Sequence, residues 1–442
     1  MNTNYYHTPF EMEEILPPTF PDKVFHVAHF TTDDEHTDLG VIQRTIEACS
    51  REGGGTVIIS AGEWASGPLH LQSHIQLCFE KGSIVRFSNR FSDYLPVVFT
   101  RWEGMECYNY SPLIYAKDCE NIAIVGEGTL IGNGEAWWHW KQLQQEAANQ
   151  LCYAESDGIP VEERIYGTEE DALRPSFIQP INCKGVLIEG LTIQNGPQWT
   201  IHPVYCENVL IRKVHVVSVG PNTDGLNPDS CRNVLVEDSY FETGDDCIAI
   251  NSGMNEDGWR VGKPCENIVI RNCTMKEGHG GLVIGSGMSG GVRNVYAHHC
   301  YIGGGDRGIR LKSMRGRGGT VENICFEEIE INDVREEAIQ INMYYGYSTV
   351  VPRTTKPSIF NKIAVRNITG KNAKIAIELK GLPEQRLKEI RLENIELSSE
   401  VGLICEDIED LKVTDVNLIV SKPDKGSLKN VFELSLKNFK EN

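Results

Sequence analysis

Between Val219 and Lys312 the chain carries acidic, imidazole and cationic side chains at matching offsets from four short runs. Gly225-Leu226-Asn227-Pro228, Cys247-Ile248-Ala249-Ile250, Gly281-Leu282-Val283-Ile284 and Gly308-Ile309-Arg310-Leu311 align with one another. Asp224 then falls at the offset of Asp246, and His279 at that of Asp245. In an extended strand neighbouring side chains point to opposite faces, so Asp245 and Asp246 share a site only at a bend. Gly244 stands where that bend is needed. With Asp224 one strand layer from Asp246, the two stack about 5 Å apart. Carboxylates so clustered repel, and one is expected to hold its proton to higher pH than the others. Such a set suits hydrolysis of a glycosidic bond, one carboxylic acid protonating the leaving oxygen while others activate water.

In the run Ile309-Arg310-Leu311-Lys312-Ser313, alternation directs Ile309 and Leu311 inward, and Arg310 and Lys312 outward on one face. The matching positions one layer earlier, Val283 and Gly285, are small enough to leave a groove. A cationic pair beside a groove suits an anionic ligand, and Arg can hold a carboxylate through two parallel hydrogen bonds. Taken alone, the pair reads as ordinary surface charge. The acidic cluster has a rival reading as a calcium site, which the adjoining His279, Arg310 and Lys312 disfavour because cations compete with the metal. No metal and no other cofactor is expected.

The elements that must position these groups follow from a repeat. From about residue 113 the signature Cys-x-Asn-Ile/Val-x-Ile opens successive units, at Cys119, Cys183, Cys206, Cys231 and Cys265, then with Val292 and Val321 in the Cys position. Weaker copies lie at Asn361-Lys362-Ile363, Leu387-Lys388-Glu389-Ile390 and Glu409-Asp410-Leu411-Lys412. From Asn208 the Asn recurs at Asn233, Asn267, Asn294 and Asn323, in steps of roughly 25–34 residues, the range of a solenoid. Short strands with turns and no helical period make this an all-β chain and point to a parallel β-helix. The Asn and Cys columns read as stacked turn amides and small buried residues rather than as metal or redox groups.

Residues 1–95 are expected to form a small α+β cap with the first strands, and residues 96–442 the β-helix, in one continuous domain. In the cap, Thr37 or Asp38 can start a helix over about Leu39–Ser50, with Val41, Ile42, Thr45, Ile46 and Cys49 on its apolar side, closed by Gly53-Gly54-Gly55. Strands are expected at Thr56–Ser60, His70–Leu71, Ile75–Phe79 and Ile84–Phe87. An insertion at about 134–175, from Glu135-Ala136-Trp137-Trp138 to Arg174-Pro175, breaks the repeat. It reads as a wall or lid of the cleft, with a solvated surface excursion as the alternative.

The 442 residues are 40% hydrophobic and 24% charged, an ordinary globular composition. A net charge of −20 argues against a nucleic-acid partner, while locally clustered Arg and Lys leave a polyanionic substrate open. No apolar run is long enough to span a bilayer, so no membrane partner is expected. The N-terminal residues show no secretory pattern, and 14 cysteines fit a reducing compartment; a cytoplasmic location is expected. Oligomeric state is not legible.

Asn222-Thr223-Asp224, Gly244-Asp245-Asp246, Gly278-His279-Gly280 and Arg310-Leu311-Lys312, in this order, resemble the four signature blocks of the polygalacturonase family of glycoside hydrolases (family 28). Leu311 departs from the family's more usual Arg-Ile-Lys. Gly53-Gly54-Gly55-Thr56-Val57 and Ser66-Gly67-Pro68 match as well. The resemblance implies a right-handed β-helix and hydrolysis with inversion, with Asp245 as general acid and Asp224 and Asp246 activating water. It implies His279 as a helper, Arg310 and Lys312 on the substrate carboxylate, Asn222 among the substrate contacts, and a tyrosine best matched by Tyr345, with Tyr344 adjacent. An inverting acid–base pair is normally set roughly 6.5–9.5 Å apart. Asp224 and Asp246 both belong to the base side, so their shorter spacing is not the diagnostic one.

Trp137-Trp138, Leu173-Arg174-Pro175 and Trp199-Thr200-Ile201-His202-Pro203 are similar to exo-acting bacterial polygalacturonases. Arg174 and His202 are then expected at the terminal sugar of a pectic oligosaccharide, or else as buried structural residues. A rhamnogalacturonan, xylogalacturonan or rhamnoside hydrolase, a calcium-dependent pectate lyase and a non-catalytic carbohydrate-binding β-helix are the competing readings.

Overall fold

The computed structural model describes residues 6–31, 38–346, 355–422 and 426–442. The chain divides into two units, Glu14–Asp245 and Asp246–Asn442, the second including Met1–Glu13. Each is built as coils of a right-handed parallel β-helix, the fold class expected.

In the first unit, one ladder runs through Gly55–Ile59, Ile75–Phe79, Glu120–Gly126, Lys184–Glu189, Glu207–Arg212 and Arg232–Glu237. A second ladder runs from Gly62–Ser66 to Tyr240–Thr243. The third passes from Leu69–His70 through Ile114–Lys117 and Ile178–Ile181 to single bridges at Ile201 and Leu226. The ladders therefore run straight through residue 95, and residues 55–87 already supply coils. In the second unit, Cys265–Arg271, Val292–Gly303, Thr320–Asn332, Ile359–Lys380 and Leu387–Val420 stack in order. Beside them run Ile248–Ile250, Leu282–Ile284, Ile309–Lys312 and Glu337–Asn342.

Why the repeat carries Asn is visible in the backbone. Asn121, Asn208, Asn233, Asn267, Asn294 and Asn323 all have φ between 52° and 59°, the left-handed region that Asn tolerates better than most residues. The weaker copies put Lys362, Glu389 and Asp410 in the same conformation, and one copy uses Gly185. The amides also stack: Asn233 Nδ2 donates to Asn208 Oδ1 at 3.2 Å, and Asn294 Nδ2 to Asn267 Oδ1 at 2.9 Å. The ladder thus satisfies polar groups at a turn that the coil needs. The cysteines of the repeat are buried beside it.

The helix is Val41–Arg51, and the five residues expected on its apolar side are its buried ones. Its start differs from expectation. Gly40 is the N-cap and no side chain caps it. Asp38 instead accepts from the Gly40 N–H at 2.9 Å and is held by Arg44; Thr37 lies outside the described residues. Outside the ladders, Val98–Trp102 and Met105–Asn109 form an antiparallel hairpin, joined by Ile165–Tyr166. The insertion is helical over Trp140–Leu143 and Gln145–Ala154. Trp137 and Trp140 anchor it, fully buried against Phe91, Tyr94 and Tyr110.

Candidate active site

Tight turns carry the first two aspartates. Thr223 Oγ1 donates to the Ser218 and Gly220 carbonyls, both at 2.6 Å, closing the turn that presents Asp224. Asp224 is buried and accepts from Asn227 Nδ2 at 2.8 Å. On the following coil, a Cβ at Gly244 would lie 2.1 Å from the Gly220 carbonyl oxygen, so only glycine allows the bend before Asp245. Asn222, itself left-handed at φ 56°, donates from Nδ2 to Asp245 Oδ2 at 3.3 Å. Asp224 and Asp245 each offer a carboxylate oxygen within 4.8 Å of the other, and Asp246 is the next residue in the chain.

Asp246 is buried, and Lys312 Nζ donates to its Oδ2 at 2.6 Å while Arg310 Nη1 lies 3.7 Å from Oδ1. The register behind this is Leu282 opposite Ile309 and Val283 opposite Arg310, as the aligned runs require. Both cations lie over the ring of Tyr345, Arg310 at 5.5 Å and Lys312 at 5.1 Å from its centroid. Tyr344 packs instead against Arg315. His279 is exposed on the bend between Gly278 and Gly280. A Cβ on Gly280 would meet Val283 Cγ2 at 2.6 Å and Asp246 Oδ1 at 3.1 Å, so the second glycine of that block makes room for the carboxylate. The open groove floor expected at Val283 is not there: all three residues of Leu282–Ile284 are buried.

Two expected sugar contacts lie inside the protein. His202 is fully buried, its Nδ1 within 3.1 Å of Ser176 Oγ and 2.9 Å of Gln179 Nε2, its Nε2 3.5 Å from Asp229 Oδ2. Both ring nitrogens face protein groups, so the structural alternative holds for it. Burial pushes its pKa down, and Asp229 opposes that. Arg101 Nη1 binds the other Asp229 oxygen at 2.9 Å, a buried pair that sequence reading missed.

Arg174 is also fully buried. It donates to the Pro197 carbonyl at 3.1 Å, the Pro221 carbonyl at 2.6 Å, Gln144 Oε1 at 3.2 Å and Asn222 Oδ1 at 2.8 Å. Burial lowers its pKa to about 10, against the pull of Glu103 and Asp245. The Asn222 amide it holds by the oxygen is the same one that donates from Nδ2 to Asp245. The insertion closes on the same turns. Trp138 Nε1 donates to the Gly196 carbonyl at 3.0 Å, and its ring fills the space a Cβ on Gly220 would need. The insertion is thus packed on these turns and is not a solvated excursion there.

Asp246 Oδ2 is already held by Lys312, which leaves that oxygen poorly placed to ligate a cation. The Asp224 and Asp245 carboxyl groups are of the kind that can give and accept a proton.

The family model for glycosyl hydrolases family 28 matches residues 163–417. A probable polygalacturonase of Vitis vinifera is 28% identical over 374 residues, 81% of this chain and 71% of that protein. An exo-poly-alpha-D-galacturonosidase of Dickeya chrysanthemi is 27% identical over 456 residues, 92% of this chain and 74% of that one. The crystal structure of a hyperthermoactive exopolygalacturonase from Thermotoga maritima superposes with a TM-score of 0.83 at 36% identity, covering 96% of this chain and 94% of that one. With the matched model spanning more than half its length, the chain belongs to glycosyl hydrolases family 28 and is a glycosidase.

Proposed function

We propose that the enzyme hydrolyses the α-linked galacturonide chains of pectin and works from a chain end, with inversion at the cleaved carbon. The observation that carries this reading is the Asp224–Asp245 pair, with oxygens within 4.8 Å, next to an Asp246 held by Lys312. In the proposed reaction Asp245 gives its proton to the glycosidic oxygen as the bond from that oxygen to C1 breaks. A water then bonds to C1, and its proton passes to Asp224 or Asp246. Arg310 and Lys312 bind the carboxylate of the leaving sugar, with Tyr345 beneath them, and His279 assists on the exposed side. Asn222 holds Asp245 in place.

The exo part draws support from the helical insertion seated on the turns at Gly196 and Gly220, and from relatives named for exo-acting activity. Defined oligogalacturonides should yield monosaccharide or disaccharide from one end. A rapid fall in pectate viscosity with few new reducing ends would reject it. The stereochemistry has two possible outcomes, inversion as proposed or retention, and they give opposite anomers. Proton NMR of the first-formed anomer decides between them: inversion of the α-linkage gives the β-anomer.

A further inference from the structure

Glu103 has no place in the expected site, yet the fold holds it with care. It stands at the tip of the hairpin between Trp102 and Met105, at φ 43° with Gly104 at 87°. Two left-handed residues match a tight hairpin turn, where Asn, Asp or Gly is usual. A Glu there is strained by on the order of 1 kcal/mol, as it is at the left-handed coil turns that carry Glu389 and Glu433. The strands beside it are pinned. Arg101 is bonded to Asp229 and Ser230, Trp102 Nε1 donates to the Arg174 carbonyl at 3.1 Å, and Tyr205 holds Glu106.

The half-buried Glu103 carboxylate accepts from Gln198 Nε2 at 3.0 Å, a neutral donor. Gln198 is itself 2% exposed and follows Pro197, whose carbonyl is bound by the same Arg174 that orients Asn222 on Asp245. Thr200 N donates to the Asp224 carbonyl, so Gln198 belongs to the coil before Asp224. Arg310 and Lys312 lie on a coil after Asp246. Burial raises the Glu103 pKa above the usual range; Lys141 of the insertion and Arg174 oppose that, while Asp245 adds to it.

We propose that Glu103 reads the end of the substrate: its carboxylate accepts a hydrogen bond from the free C4 hydroxyl of the terminal galacturonate and repels the further uronate of a continuing chain. This rests on the exo reading above. At a true chain end the C4 oxygen carries a hydrogen, which a carboxylate can accept. Inside a chain the same oxygen is glycosylated and has no proton to give, and the next sugar brings a negative charge. A carboxylate held by an amide thus selects for the end on both counts.

The test compares trigalacturonate with the trimer whose terminal residue is 4,5-unsaturated and lacks that hydroxyl. With Glu103→Ala, kcat/KM on the saturated trimer should fall about 10- to 100-fold, the worth of a hydrogen bond to a charged group, with little change on the unsaturated one. Equal losses on both substrates, or no loss on either, would overturn the assignment. Glu103→Gln keeps the side chain's shape, so it serves if the alanine variant fails to fold. It should release longer products from polymer than the wild type does, and an unchanged product profile counts against the repulsion. The exo reading is judged separately, on wild-type products alone. Internal cleavage by the wild type sinks that reading, whereas end-trimming with an unaltered trimer preference in Glu103→Ala sinks only the role of Glu103.

Discussion

Lys312 Nζ lies 2.6 Å from Asp246 Oδ2, and the two side chains are only 9% and 3% exposed. A buried pair of this kind is costly to break because the remaining charge stays desolvated. Lys312→Met should lower stability by on the order of 3 kcal/mol, and adding Asp246→Asn should restore most of that. Urea unfolding of the four proteins of this cycle gives the coupling; strictly additive losses would show that the pair is not a unit.

In the proposed reaction Asp245→Asn removes the proton given to the leaving oxygen, and it leaves the side chain's size unchanged. Turnover should fall by about 100- to 10,000-fold, the range for losing a positioned acid, while oligogalacturonide binding measured by calorimetry stays close to wild type. Full retained activity would take Asp245 out of the acid role.

Arg174 bonds four acceptors from one planar group, and a lysine cannot reproduce that fork. Arg174→Lys should release the Asn222 amide from Asp245 and lower kcat on the order of ten-fold with a smaller change in KM. A rise in KM at constant kcat would point to substrate binding instead.

Asn294 bonds both neighbours in the amide ladder, at 2.9 Å and 2.6 Å, from a left-handed backbone at φ 57°. Asn294→Ala should cost about 2–3 kcal/mol, from two hydrogen bonds and backbone strain. Asn294→Gly should cost about 1 kcal/mol less, since only the strain is relieved. Equal losses in chemical denaturation would mean that conformation contributes nothing.

His298 sits between Arg271 and Glu327 on adjacent coils, its Nδ1 2.7 Å from that of His299. Burial, then His299 and Arg271, lower its pKa to about 4, with Glu327 opposing. An unfolded histidine titrates near about 6.5, so below that the unfolded chain binds a proton the folded one refuses. Stability from this group is therefore present above about pH 6.5 and is lost as pH falls toward about 4. His298→Gln should flatten the unfolding free energy against pH over that window. Unchanged slopes would remove His298 as a contributor.

The sequence alone determined the coil architecture and the order of the chemical groups along it. Each repeat touches only the coils before and after it, so the spacing of Asn208 and Asn233, and that of Asn267, Asn294 and Asn323, already encodes which residues stack. The same periodicity put Leu282 opposite Ile309 and so brought Arg310 and Lys312 onto a neighbouring coil. Tertiary structure decided what no period marks. The hairpin at Glu103 meets Gln198 across 95 residues, and Arg101 meets Asp229 across 128. His202 turned inward because Asp229, Ser176 and Gln179 together satisfy both its nitrogens. Such contacts depend on where an excursion from the coils lands, and that is set by packing of groups such as Trp137 and Trp140 rather than by any repeating pattern.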